Sequence, residues 1–124
     1  MSPKNILVVE DDKALAEAIQ IKLKKTGYNV FVARSVPDAI DSYKNHSPID
    51  LVWLDHYLIG RENGLDFLEY LRNDANGKDT PILVVSNTIS PELIKAYQTK
   101  GANKFFTKSD VKLDELIQEV QQLT

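Results

Sequence analysis

The sequence contains no cysteine, no excess of basic residues and no long hydrophobic run. Without cysteine the chain can form neither a disulfide framework nor a thiolate metal site. Fifteen Lys and Arg stand against 18 Asp and Glu, a net charge of -3, so we expect no direct binding to nucleic acid or to an anionic membrane. The first apolar run, Ile6 to Val9, is short and is followed by three acids. It predicts neither a signal peptide nor a membrane span, and we expect a cytoplasmic protein.

The length and composition predict one folded domain over residues 1–124. A chain of 124 residues is long enough for one hydrophobic core and too short for two ordinary ones. With 43% hydrophobic and 27% charged residues, it has the material for that core and no stretch typical of disorder. We therefore expect the chain to fold by itself, without a second domain.

Short β-branched or aromatic runs recur along the chain and predict five strands. These runs are Ile6 to Val9, Asn29 to Ala33, Leu51 to Leu54, Ile82 to Val85 and Lys104 to Thr107. Four of them are apolar almost throughout, which is typical of parallel strands that are covered on both faces. The pattern predicts a central parallel sheet.

Helical patterns lie between these runs, and the clearest is the last, with Leu113, Leu116, Ile117, Val120 and Leu123 at helical spacing. Ser35 with Asp38 can form a capping box, and Ser90 followed by Pro91 suits an N-cap and first helical turn. Gly27 and Gly101 stand where helices are expected to end. Five successive βα units predict an α/β fold. We expect one five-stranded parallel sheet sandwiched by helices, doubly wound, with the flavodoxin-like strand order.

Acidic residues follow the first and third predicted strands. Glu10, Asp11 and Asp12 come directly after the first, and Asp55 directly after the third. In such folds the working cleft lies beyond the carboxyl ends of the strands, so we expect these carboxylates to crowd one edge. A divalent cation resolves such crowding, and oxygen ligands that leave room for water suit Mg²⁺. The alternative is that Asp12 caps the following helix and the others are solvated strand-end acids.

A hydroxyl and an amine complete the candidate site. Ser86 ends the fourth strand and Lys108 follows the fifth. A carboxylate can attack phosphorus to form an aspartyl phosphate if a metal ion, a hydroxyl donor and a cation surround the phosphoryl oxygens. Taken singly, Ser86 is more often a plain polar residue and Lys108 a solvated charge. Together with Asp55 at neighbouring strand ends, they favour phosphoryl chemistry.

The sequence resembles the receiver domains of two-component response regulators over essentially its whole length. The resemblance is carried by Ile6 to Asp12 (ILVVEDD), Asp50 to Asp55 (DLVWLD), Pro81 to Ser86 (PILVVS) and Gly101 to Lys108 (GANKFFTK). It implies a CheY-like phosphorylation-dependent signalling switch that is not an enzyme. The implied partners are a histidine kinase or a histidine phosphotransfer protein, and an unknown downstream protein that binds a surface of helix 4, strand 5 and helix 5.

The resemblance also implies a role for each site residue. The implied set is Asp55 as phosphoacceptor, Glu10 and Asp11 as the acidic metal pair, the backbone carbonyl of Tyr57 as a further Mg²⁺ ligand, Ser86 as switch hydroxyl, Lys108 as phosphate-contacting amine and Phe105 as the aromatic switch residue. Apart from the resemblance, Phe105 is more simply a buried strand aromatic.

The sequence departs from the family pattern beside the site. Ile59 stands where the family has proline, and Gly64 comes one residue late, so we expect a longer and more mobile loop from Ile59 to Asn63. Ser109 replaces the proline after Lys108. Since a cis bond before a non-proline residue costs about 2.5–4 kcal/mol, we expect a trans peptide there.

Four other residues get a structural interpretation or a minor role. His56 follows Asp55, but strand alternation points its side chain to the opposite face, and His46 lies in a predicted loop. Trp53 is in a covered strand, so core packing explains it. Asn87 replaces a small residue beside the switch hydroxyl, and it would either narrow phosphate access or add a hydrogen-bond donor.

Three other functions fit parts of the pattern. Some Mg²⁺-dependent phosphatases with a similar sandwich use a nucleophilic Asp, but it follows the first strand, where this chain has Glu10. A flavodoxin-type binder needs a Ser, Thr and Gly-rich phosphate loop, and the acids here would repel a flavin phosphate. The remaining alternative is a receiver-like interaction module that is never phosphorylated, which Ser109 and the longer loop favour.

Overall fold

Strands and helices alternate along residues 2–87 and 90–124, which are the residues that the computed structural model describes. The elements are β1 (Asn5–Val9), α1 (Lys13–Lys25), β2 (Asn29–Ala33), α2 (Val36–Asn45), β3 (Leu51–Leu54), α3 (Gly64–Asn73), β4 (Ile82–Ser86), α4 (Pro91–Thr99), β5 (Lys104–Thr107) and α5 (Leu113–Leu123). A short 3₁₀-helix, Lys108–Asp110, connects β5 to α5.

The five strands form one parallel sheet in the order β2-β1-β3-β4-β5. The predicted fold class and strand order are confirmed. The order reverses beside β1, because the chain first moves outward to β2 and then crosses back to β3. Ligand sites of doubly wound folds lie at this reversal, beyond the carboxyl ends of the strands.

Strand side chains alternate between two hydrophobic cores, one on each face of the sheet. On one face Trp53 packs with residues of α1 and α5, such as Ile19 and Leu116. On the other face Phe67 and Tyr97 pack with strand residues under α2, α3 and α4. Because both faces are covered, strand residues are buried in either orientation, which accounts for the nearly continuous apolar runs. The predicted core position of Trp53 is confirmed.

Side-chain caps begin three helices at the predicted places. Asp12 accepts a hydrogen bond from a first-turn N–H of α1 at 3.0 Å, and Ser90 does the same for α4 at 3.1 Å. Ser35 caps α2 by accepting the N–H of Asp38 at 3.3 Å. The contacts described for Asp38 include no bond back to Ser35, so the predicted capping box is only half formed.

The predicted glycines end α1 and α4. Gly27 and Gly101 have φ of +103° and +92°, a backbone region that favours glycine. His46 directly follows α2 as its C-cap residue and begins the loop to β3, as predicted, and its ring stacks on Phe31 with centroids 3.8 Å apart. The longest described helix, α1, has 13 residues, and none of the helices in the described ranges is long and apolar enough to cross a membrane.

The difference in burial between two residues of α1 allows a matched test of the core that α1 and α5 form with the sheet. Leu23 is fully buried in this core, whereas Ile21, two residues away on the same helix, is 55% exposed. We expect Leu23→Ala to lower the free energy of unfolding by about 2–5 kcal/mol, because it leaves a cavity. Ile21→Ala should change it by less than about 0.5 kcal/mol. Urea unfolding measures both, and equal losses would contradict this packing.

Candidate functional site

Sheet register brings the predicted site residues to one edge. Glu10 directly follows β1, and its N–H donates to the carbonyl of Ala33 at 2.9 Å, while the N–H of Asp55 donates to the carbonyl of Val9 at 2.9 Å. The ladder therefore continues one residue past β1 and β3. Toward the opposite end of the strand order, Ser86 on β4 is paired with Thr107 on β5. Lys108, the next residue, therefore lies at the same edge of the sheet.

Three carboxylates converge at this edge. Glu10, Asp11 and Asp55 each offer one oxygen, and these three oxygens lie within 4.8 Å of one another. Glu10 is fully buried, and Asp55 is 3% exposed. The residues predicted from the strand ends are thus brought together. Asp12 is not part of this cluster and serves as the α1 cap.

Lys108 lies between the two buried carboxylates. Its Nζ is 2.6 Å from Oε1 of Glu10 and 3.1 Å from Oδ2 of Asp55. The other Glu10 oxygen accepts the N–H of Asp12 at 3.1 Å. The Lys108–Ser109 peptide is trans, as predicted, so the lysine reaches the acids without a cis bond after it. One ammonium group thus contacts two acids that follow different strands.

Burial dominates the electrostatics of Glu10. Desolvation raises the pKa of Glu10 from 4.5 to about 7, against the opposing contacts with Lys108 and with the N–H of Asp12. For Lys108, burial lowers the pKa, but the contacts with Glu10 and Asp55 outweigh it, and the pKa of Lys108 is raised. Lys108 stays charged, while Glu10 takes up a proton at a pH where ordinary carboxyl groups are ionised.

Two buried polar atoms at the site have neither a hydrogen bond nor an ion pair within the described part of the chain. They are Oδ1 of Asp55 and Oγ of Ser86. Buried polar groups are normally paired, so such atoms need an explanation. A metal ion or a phosphoryl group beside Asp55 would supply the missing partners. The oxygen-only donor set and these two atoms fit a hard divalent cation and an oxyanion.

The loop after β3 is joined to the rest of the site. Ile59 forms an isolated parallel bridge with Ser35, and its N–H donates to the carbonyl of Arg34 at 3.1 Å. The Arg34 guanidinium donates twice to the carbonyl of Asp11, at 3.0 and 2.7 Å. Arg34 was not predicted as a site residue, because a single arginine after a strand carries no sequence signal. It links the loops that follow β1, β2 and β3.

The remaining predicted residues surround this centre. The Tyr57 side chain is 50% exposed, and the metal-binding role of its carbonyl stays a prediction. Asn87 is exposed, and its effect on phosphate access also stays a prediction. Phe105 is half-buried and packs against the core under α2, α3 and α4. The His56 side chain points away from the acids, as predicted, and its Nδ1 lies 2.7 Å from the Tyr97 hydroxyl. Burial lowers the pKa of His56.

Comparison with known proteins identifies the family. The family model of the response regulator receiver domain matches residues 6–121. The chain belongs to this receiver family. A receiver domain is a signalling module of two-component systems rather than an enzyme, which excludes the phosphatase alternative. The acidic pocket of this receiver is consistent with the phosphoaspartate site of two-component signalling.

Receiver sequences and structures from several organisms are similar to this one. Response regulator MprA from Mycobacterium sp. (strain KMS) is 35% identical over 121 residues, which cover 98% of this chain and 50% of MprA. The receiver thus spans half the length of that relative. A response regulator receiver protein from Pseudomonas putida is 25% identical with a TM-score of 0.90, and each chain is covered to 98%.

A second solved structure shows the same fold at lower identity. The chemotaxis protein CheY4 from Vibrio cholerae has a TM-score of 0.90 at 22% identity, covering 99% of this receiver and 100% of the CheY4 chain. At this identity the likeness supports the fold alone. The CheY-like architecture predicted from the sequence is confirmed.

The buried position of Glu10 predicts a pH-dependent stability. Because its pKa is raised from 4.5 to about 7, the folded state binds more protons than the unfolded state between these values, and the metal-free protein loses stability as pH rises. Glu10→Gln has no carboxyl group to ionise at this position, so this loss of stability is absent in the variant. We expect the variant to be about 1–3 kcal/mol more stable than wild type at about pH 8, and nearly equal to it near pH 4.5.

Urea unfolding of both proteins at the two pH values, without divalent ions, measures this difference. Glu17→Gln on the exposed face of α1 removes the same charge without burial and is the matched control. A stability difference between wild type and Glu10→Gln that is the same at both pH values would contradict the raised pKa of Glu10.

Proposed function

We propose that this receiver is a phosphorylation-dependent switch in which Asp55 accepts a phosphoryl group from a histidine kinase or a histidine phosphotransfer protein. The observation that carries the proposal is the buried Asp55 carboxylate, with Oδ2 held by Lys108 at 3.1 Å and Oδ1 without a partner in the described residues. One oxygen is fixed, and the other is available for a new bond. The downstream partner would be a protein that recognises the altered surface of α4, β5 and α5.

Glu10, Asp11 and Asp55, with the backbone carbonyl of Tyr57, are the residues that would hold Mg²⁺. When bound, the ion would neutralise the acids and offset the charge of the phosphoryl oxygens. Glu10 has to be ionised for this, and its contact with Lys108 favours the ionised form. The contacts of Arg34 with the Asp11 carbonyl fix the loop that carries the more exposed acid.

In the transfer, an Asp55 carboxylate oxygen attacks phosphorus and the bond from phosphorus to the donor imidazole nitrogen breaks. The imidazole leaves with its electron pair, and the product is an aspartyl phosphate. Lys108 then pairs with a phosphoryl oxygen, and the buried Ser86 hydroxyl donates to another. Lys108 thus exchanges a carboxylate oxygen for a phosphoryl oxygen. The Ser86 hydroxyl, which has no partner within the described residues, gains a hydrogen bond to an ionised oxygen, which is stronger than one between neutral groups.

Ser86 and Phe105 would carry the change to the surface. Phe105 is paired in register with Val84, two residues before Ser86 on the same face of β4. When the Ser86 hydroxyl turns toward the phosphoryl group, it leaves room into which the half-buried Phe105 ring can rotate. The phosphoryl group acts only by favouring one of two packings over the other.

The first prediction of the proposal is a mass gain on Asp55. Incubation with Mg²⁺ and acetyl phosphate should add one phosphoryl group to wild type, because the receiver itself supplies nucleophile, cation and hydroxyl. Asp55→Asn should gain none, since the amide has nearly the same shape but is a poor nucleophile. Intact-mass spectrometry measures both proteins. A phosphoryl label that persists on folded Asp55→Asn would place the acceptor elsewhere, and an unlabelled wild type would favour the module that is never phosphorylated.

The second prediction is a Mg²⁺ response of Trp53, which is buried on β3 two residues before Asp55. Fluorescence titration should show weak, saturable binding in wild type, because part of the coordination shell is left to water. Glu10→Gln combined with Asp11→Asn should abolish the response. Asp12→Asn is the matched control, since it changes an adjacent acid outside the cluster and keeps a good helix cap. An unchanged response in the double variant would refute the metal site.

The third prediction separates phosphorylation from signalling. Ser86→Ala should still accept a phosphoryl group on Asp55, but beryllofluoride should change the amide NMR shifts around Phe105 much less than in wild type. Ser86→Thr keeps the hydroxyl and should retain the wild-type response. The full wild-type shift in Ser86→Ala would show that this hydroxyl does not couple the two regions.

A further inference from the structure

A buried hydrogen bond joins the residue after the phosphoacceptor to α4. His56 is 8% exposed and Tyr97 is fully buried, and His56 Nδ1 lies 2.7 Å from the Tyr97 hydroxyl. The rings of His56 and Tyr97 also lie edge to face, with centroids 5.6 Å apart. Neither side chain belongs to the acidic site. Two apolar side chains would fill the same space without needing a partner, so the pair requires its own explanation.

The start of α3 leaves room for this hydrogen bond. A Cβ on Gly64, the first residue of α3, would lie 2.3 Å from the Tyr97 hydroxyl and 2.6 Å from the backbone carbonyl of Asp55. The N–H of Gly64 also donates to the carbonyl of His56 at 2.9 Å. The Tyr97 hydroxyl is therefore inserted where the end of β3 meets α3, next to the backbone of the phosphoacceptor.

The same tyrosine contacts the aromatic residue of β5. The rings of Tyr97 and Phe105 have centroids 5.7 Å apart, and both belong to the core under α2, α3 and α4. Tyr97 thus contacts His56 through its hydroxyl and Phe105 through its ring. The contact lies on the sheet face opposite Trp53 and does not involve Ser86.

We propose that Tyr97 and His56 are positioning residues. Their hydrogen bond connects α4 and Phe105 to the backbone directly after Asp55, and it thereby holds α4 and Phe105 in the unphosphorylated packing. The inference rests on the proposed function and adds a second connection between Asp55 and the α4 surface. The change produced by phosphorylation has to work against this hydrogen bond. Its removal loosens α4 and raises the fraction of molecules that already have the active packing.

Tyr97→Phe tests the connection, because it removes only the hydroxyl and keeps the ring beside Phe105. Tyr43→Phe is the matched control: Tyr43 is also buried, and its hydroxyl donates to Asp74 at 2.8 Å, but it lies on α2. Without any phosphoryl analogue, amide hydrogen exchange over residues 91–99 should be about tenfold faster in Tyr97→Phe and unchanged in Tyr43→Phe. Wild-type exchange over these residues in Tyr97→Phe would overturn the proposal.

Two further variants test whether the residues act as a pair. Once Tyr97→Phe has broken the bond, adding His56→Phe should increase exchange by much less than it does in wild type, because the two residues share one interaction. If the increase in exchange in the double variant equals the product of the increases in the two single variants, the pairing is overturned.

A spectroscopic measurement distinguishes a positioning role from simple stabilisation. In Tyr97→Phe without beryllofluoride, amide shifts around Phe105 should move part of the way toward those of the wild-type beryllofluoride complex, while Tyr43→Phe keeps the wild-type shifts. Faster exchange without movement in that direction would overturn the positioning role. A wild type that does not respond to beryllofluoride would contradict the proposed function itself, whereas a responsive wild type with normal α4 exchange in Tyr97→Phe would contradict only the connection.

Discussion

The site depends on the ion pairs of one lysine with two buried acids. Lys108 lies 2.6 Å from Glu10 and 3.1 Å from Asp55, and the three side chains come from the ends of β1, β3 and β5. Two unpaired carboxylates in a low-dielectric environment would repel each other and lose solvation, so a nearby cation is required. The raised pKa of Glu10 shows that the lysine offsets only part of this penalty. A second cation would complete the compensation, which is the physical reason for expecting Mg²⁺ at the site.

The fold supplies this arrangement through sheet register. Because all five strands are parallel, the carboxyl ends of β1, β3, β4 and β5 lie along one edge, and polar residues placed there are brought together without long loops. The covered faces of the sheet make these strands rigid supports. The backbone positions that carry these side chains are therefore set before any ligand binds. Rigid placement favours a reaction in which the protein contributes mainly position and electrostatics.

The sequence was sufficient for the features that follow from periodicity and strand order. The apolar runs predicted the covered parallel sheet, and residues just past the strands, such as Glu10, Asp55 and Lys108, could be placed at one edge from topology alone. Contacts that depend on side-chain direction in three dimensions could not be predicted. The guanidinium of Arg34 on the Asp11 carbonyl and the His56–Tyr97 hydrogen bond join elements that are distant along the chain. The half-formed cap at Ser35 shows the same limit, since the motif does not fix the Asp38 rotamer.

The most direct test of the central claim is a crystal structure of the receiver with Mg²⁺ and beryllofluoride. We expect beryllium bonded to a carboxylate oxygen of Asp55, Mg²⁺ on Glu10 and Asp11, and fluorine atoms within hydrogen-bond distance of Ser86 and Lys108. Lys108 should then have moved from Glu10 toward the fluorine atoms. Beryllofluoride bound away from Asp55, or Lys108 still bridging Glu10 and Asp55 with the ligand present, would contradict it.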